Sequence, residues 1–224
     1  ESTTNGSIIL AALLLKVGTY AMYRFVYLLF PLEAYFFSTE ILAVAVFGFT
    51  YSTILAVREL DLKRYIAYTS IAHMNFSLLG LFSCTEIGLL GYIHTSISHG
   101  TIATAMFYLV GHLYSILHFR DTLRVSGISQ KFPKFSIYFF LFSMANMGLP
   151  LFSGFVGEFF IISSLVFINE IFAIVVCVGF LISGVYNIFQ INRLLFSESA
   201  GSVDIKSNED LDSYSMIVLN VLLF

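Results

Sequence analysis

Along most of the chain, apolar residues run in blocks of about 20 separated by short polar stretches, and about 20 apolar residues is the length that carries a helix across a bilayer. Blocks at 7–30, 39–57, 65–82, 87–117 and 171–196 each predict a spanning helix. A sixth block, 135–168, is apolar throughout but contains the segment "ANMGLPLFSGFVGEF". Proline removes a backbone donor and clashes with the preceding turn, and glycine weakens a helix, so Gly148, Pro150, Gly154 and Gly157 predict a discontinuous span there. The pattern therefore gives an all-α polytopic membrane protein with six transmembrane helices, the fifth discontinuous. Residues 197–213 are acidic and serine-rich, which predicts a solvated loop. The apolar run 214–224 is too short to cross and reads as a truncated helix or a segment lying against a partner.

Composition agrees: of 224 residues, 58% are hydrophobic and 11% charged, where a soluble domain carries roughly 25% charged residues. The net charge of −3 says little about partners on such a chain. Cys84 and Cys177 form neither a disulfide framework nor a zinc spacing. No secretory leader pattern opens the chain, and a first residue Glu1 is compatible with processing, with a fragment or with one piece of a split protein.

The positive charges assign an orientation. Arg58, Lys63, Arg64, Arg120, Arg124, Lys131, Lys134, Arg193 and Lys206 follow the even-numbered spans, so nine of the eleven basic residues fall on one side. The opposite loops carry Glu33, Glu40, Glu86 and Glu170, with Arg24 near the end of span one. Basic loops stay on the side of synthesis, so the start of the chain is expected in the cytoplasm or mitochondrial matrix.

Against this background, ionisable groups inside the spans are the functional candidates. Lys16 sits mid-way along span one, with Thr19 and Tyr20 three and four positions on as expected hydroxyl neighbours. Burial penalises its charge, so whether it holds its proton depends on nearby charges. The blander reading is a lysine snorkelling to the interface. Span three places Tyr65, Thr69 and His73 on one face at four-residue steps. Span four gathers His94, Thr95, Ser96, Ser98 and His99, with Thr95 and His99 sharing a face. An imidazole can pass a proton between its two nitrogens, although polar patches also serve as interhelical hydrogen bonds. His112 and His118 read as interface residues. Glu158 lies just after the break, where free backbone groups and room for water can compensate a carboxylate; the alternative is a neutral structural glutamic acid. Tyr186, Asn187, Gln190 and Asn192 are weaker polar sites near the end of span six.

Other chemistries fit poorly. His99 and His112 stand thirteen apart, but on one helix at 3.6 residues per turn that places them about 140° apart, which does not suit a haem. No phosphate-binding glycine loop, cysteine cluster or nucleophile elbow is present in the sequence.

The segments "GSIILAALLLKVGTYAMYRF", "LDLKRYIAYTSIAHMNF", "ISHGTIATAMFYLVGHLY" and "ANMGLPLFSGFVGEFFI" resemble the C-terminal half of the antiporter-like subunit 4 (bacterial M subunit) family of respiratory complex I, over roughly residues 1–196. The resemblance implies a fourteen-helix fold with two inverted five-helix repeats, of which residues 1–196 would supply helices eight to thirteen, followed by the 197–213 loop and the 214–224 tail. It implies that Lys16, His73, His99 and Glu158 form the proton path, and that Lys63, in the DLK loop, is structural. The first seven helices have no counterpart, so either a separate chain supplies the N-terminal half or the sequence is a fragment; other membrane-arm subunits and lipid are the further expected partners, with no nucleic acid. No cofactor is expected in this chain; NADH, flavin, iron–sulfur clusters and ubiquinone would belong to other subunits. The implied function is proton translocation coupled to NADH oxidation and quinone reduction, in the mitochondrial inner membrane, favoured by 25 Phe and no Trp, or in a bacterial plasma membrane. Alternatives are a subunit of a multisubunit sodium/proton antiporter and a non-conducting structural remnant of a split subunit.

Overall fold

The computed structural model describes residues 3–122, 125, 127–197 and 210–223. Helix α1, Thr4–Tyr27, is a single rod, opened by the Thr3 side chain, which accepts from the Gly6 N–H. Two π-helical turns, Leu10–Leu14 and Met22–Tyr27, interrupt its ladder. The block expected at 7–30 thus ends before Pro31, which starts the short helix α2, Pro31–Phe36. Proline suits a first helical turn because its missing N–H would have had no partner there.

Helix α3 covers Ser38–Arg58. Helix α4 covers Leu62–Phe82, with the Asp61 carboxylate accepting from the Lys63 N–H at 2.9 Å. Helix α5, Glu86–Leu117, is the longest at 32 residues; Thr85 caps its start and His118 ends it in the left-handed conformation. The discontinuous span is α6, Pro133–Asn146, followed by α7, Ser153–Ile168. Helix α8, Glu170–Phe196, is capped by Asn169 and finishes in a π turn. Among the described residues, α1, α3, α5 and α8 meet both length and hydropathy for crossing a membrane. Helix α4 is as long as α3 but carries Tyr65, Thr69, Ser70, His73 and Ser77 among its buried residues.

α5 is the hub and packs against α1, α4, α6 and α7. It meets α7 closely because both contact positions are glycines: a Cβ on Gly157 would lie 2.8 Å from the Thr95 backbone nitrogen, and one on Gly91 would lie 3.0 Å from the Gly157 carbonyl oxygen. Small residues permit such backbone approach between membrane helices. Two apolar clusters fill the bundle. One, around Leu62, Phe107, Phe135 and Leu194, lies toward the basic loops; the other, around Leu42, Phe76, Phe82 and Leu165, lies toward the opposite end.

The loops after α3 and α5 are tied together where the charge pattern places them on one side. Leu62 N–H donates to the Arg120 carbonyl at 3.1 Å, and Thr122 N–H to the Leu60 carbonyl at 3.0 Å. The Tyr186 hydroxyl and the Gln190 amide of α8 both donate to the Glu59 carbonyl. Thr4 of α1 packs against the position of Gly111, late in α5, so the two helices run antiparallel. Arg124, Lys206 and most of the expected 197–213 loop lie outside the described residues. At the end of that segment, Asp210 accepts from the Lys134 and Phe135 N–H groups at the start of α6, and Leu211 is buried. The tail forms helix α9, Ser213–Leu223, packed against α5.

Candidate functional site

Four side chains from four helices meet between the two apolar clusters. Lys16 Nζ of α1 lies 3.0 Å from His99 Nδ1 of α5. The His99 and His73 rings are 5.1 Å apart, centroid to centroid. His73 Nδ1 of α4 lies 3.7 Å from Glu158 Oε1 of α7. His73, His99 and Glu158 are each more than nine-tenths buried, and Lys16 is half-buried. All four candidates therefore fall in one row, in the order Lys16, His99, His73, Glu158.

The supporting contacts explain why each group is tolerated. A π turn passes from i−4 to i−5 bonding and back, which leaves a carbonyl free for another donor. Lys16 Nζ donates to the Ala11 carbonyl, inside the first π turn of its own helix, at 2.6 Å. Thr19 and Tyr20 do not serve the ammonium as the sequence suggested: the Thr19 hydroxyl donates instead to the Lys16 carbonyl, and Tyr20 is exposed. At the other end, α6 stops at Asn146, so its last carbonyls lack helical partners; the Asn146 backbone lies beside the His73 ring. Glu158 begins the second turn of α7, and its carboxyl lies against Gly148 in the break.

Next to the row, a small cavity of about 10 Å³ is lined by Thr53, Tyr65, Thr69, His73, Ser183 and Tyr186 among others, and about this much space admits one water. The face expected from Tyr65, Thr69 and His73 is this cavity wall. Tyr65 hydrogen-bonds to Asn187, and Gln190 to Tyr186, so hydroxyl and amide groups continue from His73 toward Glu59. On the other side of the row, Lys16 faces an apolar groove of about 720 Å³ between α1 and α5, bordered by Leu222 of α9.

Other candidates stand apart. His94 and His118 are exposed, and His112 lies far along α5 from the row. Thr95 bonds back to its own helix, at Gly91 and Tyr92. Lys63 sits at the start of α4, beyond the bundle interior. Asn192 opens the last π turn of α8. Sequence reasoning missed Ala11 and Asn146, which contribute through backbone; the only signal was that a broken helix exposes carbonyls.

Known proteins share the fold and part of the sequence. The transmembrane family described as NADH:quinone oxidoreductase/Mrp antiporter matches residues 1–183. NADH-quinone oxidoreductase subunit M of Rickettsia prowazekii is 34% identical over 223 residues, covering 100% of this chain and 45% of that protein. NADH-ubiquinone oxidoreductase chain 4 of Marchantia polymorpha is 38% identical over 196 residues, 88% of this chain and 40% of that protein. A chain of respiratory complex I from Thermus thermophilus superposes with a TM-score of 0.85 at 25% identity, covering 92% of this chain and 43% of that one. The chain thus spans less than half the length of these relatives. With a match over most of its length, an antiporter-like fold and a buried ionisable row, the chain belongs to the NADH:quinone oxidoreductase/Mrp antiporter transmembrane family.

Proposed function

We propose that this chain is part of the membrane arm of a respiratory NADH:quinone oxidoreductase and carries protons along the row Lys16, His99, His73, Glu158. The observation that carries the reading is the row itself: four ionisable groups, each on a different helix, within contact or one-water distance of the next. Lys16 presents a donor to His99 Nδ1, which accepts through its lone pair when that nitrogen is unprotonated. A proton taken at one imidazole nitrogen lets the ring release one from the other. His73 and Glu158 at 3.7 Å are beyond direct hydrogen bonding, so this last transfer requires a small side-chain rotation or one bridging water. A charge arriving at one site alters proton occupancy at its neighbours, which couples the four groups. The polar column from His73 through Tyr65 and Tyr186 to Glu59 supports access from the basic side.

Electron transfer belongs elsewhere: NADH, flavin, iron–sulfur clusters and ubiquinone are assigned to other subunits, and this chain needs none of them for its part. Partners are the other membrane-arm subunits. The remaining family length, as a continuation or a separate chain supplying the N-terminal half, is assigned to the groove beside Lys16. The mitochondrial inner membrane is the proposed location. Glu158→Gln removes the titrating group while keeping its shape, so proton translocation per NADH oxidised should fall in an assembled complex, by the at least tenfold typical of losing a proton-transfer group in the transport step itself. Wild-type stoichiometry would sink the role. Purification with quinone-reductase subunits supports this reading, whereas recovery in a small cation-antiporter assembly would favour sodium/proton exchange.

A further inference from the structure

The seat of Glu158 in the break between α6 and α7 is built by one glycine. Gly148 has φ +69°, in the left-handed region that residues other than glycine seldom adopt. The same residue leaves the volume of its missing side chain to the carboxyl group: a Cβ there would lie 1.8 Å from Glu158 Oε2 and 2.7 Å from Glu158 Cδ. The atom that would have to yield is the end of a flexible side chain, so a methyl group at this position would move the carboxyl without forcing the helices apart. Two residues earlier, the Asn146 backbone lies beside the His73 ring. Residues 146–148 therefore lie beside both partners of the 3.7 Å step between His73 and Glu158.

We propose that Gly148 is a positioning residue for proton transfer: its empty side-chain position holds the Glu158 carboxyl at the distance and angle from which His73 is reached. This rests on the reading that Glu158 and His73 exchange protons. Filling the position displaces Oε2 while the glutamate keeps its length and acidity.

The test compares Gly148→Ala in two backgrounds of the whole complex, scoring proton translocation against NADH oxidation. In the wild-type background the substitution should lower translocation at least about fivefold, short of the roughly 10²–10⁴-fold carried by a proton-transfer group itself. In a Glu158→Asp background, whose shorter side chain does not reach the seat, it should cost less than about twofold. An equal loss in both would overturn the proposal, since a general structural defect ignores the length of residue 158. Gly127→Ala is the strain control, because Gly127 shares φ +69° in a loop away from the row; a matching loss there would assign the effect to backbone strain and overturn the seat. Should Gly148→Ala fail to assemble, Glu158→Asp alone decides: withdrawal from an intact seat should slow translocation several-fold, and a wild-type rate would refute it. The infrared carbonyl stretch of the Glu158 carboxyl separates this inference from the transport reading. It should shift in Gly148→Ala even if Glu158→Gln pumps normally, and an unshifted band would overturn the seat by itself.

Discussion

Glu158 and Lys16 terminate the same row in unlike surroundings. The carboxyl is enclosed by α4, α5 and the helix break, with Gly148 making its room and the Asn146 backbone beside its histidine partner. The ammonium has a backbone acceptor and His99, and then opens on the groove beside α1. The helices differ in the same sense: 17% of the apolar window of α1 is buried, against 50% of that of α5. One end is enclosed by this chain's own residues, while the other opens on an exposed groove. The contrast shows that tolerance of a buried charge and enclosure of a site are separate matters, since Lys16 has its backbone acceptor at the exposed end while Glu158 is the enclosed one.

The contrast breaks most sharply at the open end. Lys16→Met keeps the stem and removes the donor, and should reduce translocation at least about tenfold in the assembled complex; retained pumping would mean that the row begins at His99. The groove is probed next by a matched pair of exposed valines. Val17→Trp fills the groove beside Lys16, whereas Val44→Trp adds the same bulk to an outward position of α3. If protein covers the groove, Val17→Trp should lower the yield of intact complex on native gels about fivefold, near 1 kcal/mol, and Val44→Trp much less. Equal yields would leave the groove to lipid. On translocation the smallest effect is expected at the enclosed side, where Tyr65→Phe acts on stability by depriving the buried Asn187 of its hydroxyl partner. That should cost about 1–3 kcal/mol, read as a lower melting temperature of the complex, with translocation slowed only if the column from His73 to Glu59 carries protons.

Much of the site was legible because an ionisable residue in an apolar block is conspicuous. Lys16, His73, His99 and Glu158 needed no partner to be noticed, and Gly148 and Pro150 announced the break. Their order was not legible, since it depends on how α4, α5 and α7 pack around Gly91 and Gly157. The π turn at Leu10–Leu14 left no mark either: "LAALL" is an ordinary helical sequence, and the wider turn becomes visible only through the Ala11 carbonyl that Lys16 uses. For the same reason Thr19 and Tyr20 were expected to do what a backbone group does. Tyr186 and Gln190 looked like scattered polar residues until the fold brought both to the Glu59 carbonyl.

The 3.7 Å separation of His73 and Glu158 also bears on energy conservation. A continuous wire of short hydrogen bonds would let ions run back down their gradient whenever the machine idles, dissipating the membrane potential as heat. On the proposed path, a row joined at Lys16–His99 and open at His73–Glu158 would insulate instead: cargo would wait at one end until the contact closes. A variant that shortened this gap permanently would then conduct faster and conserve less.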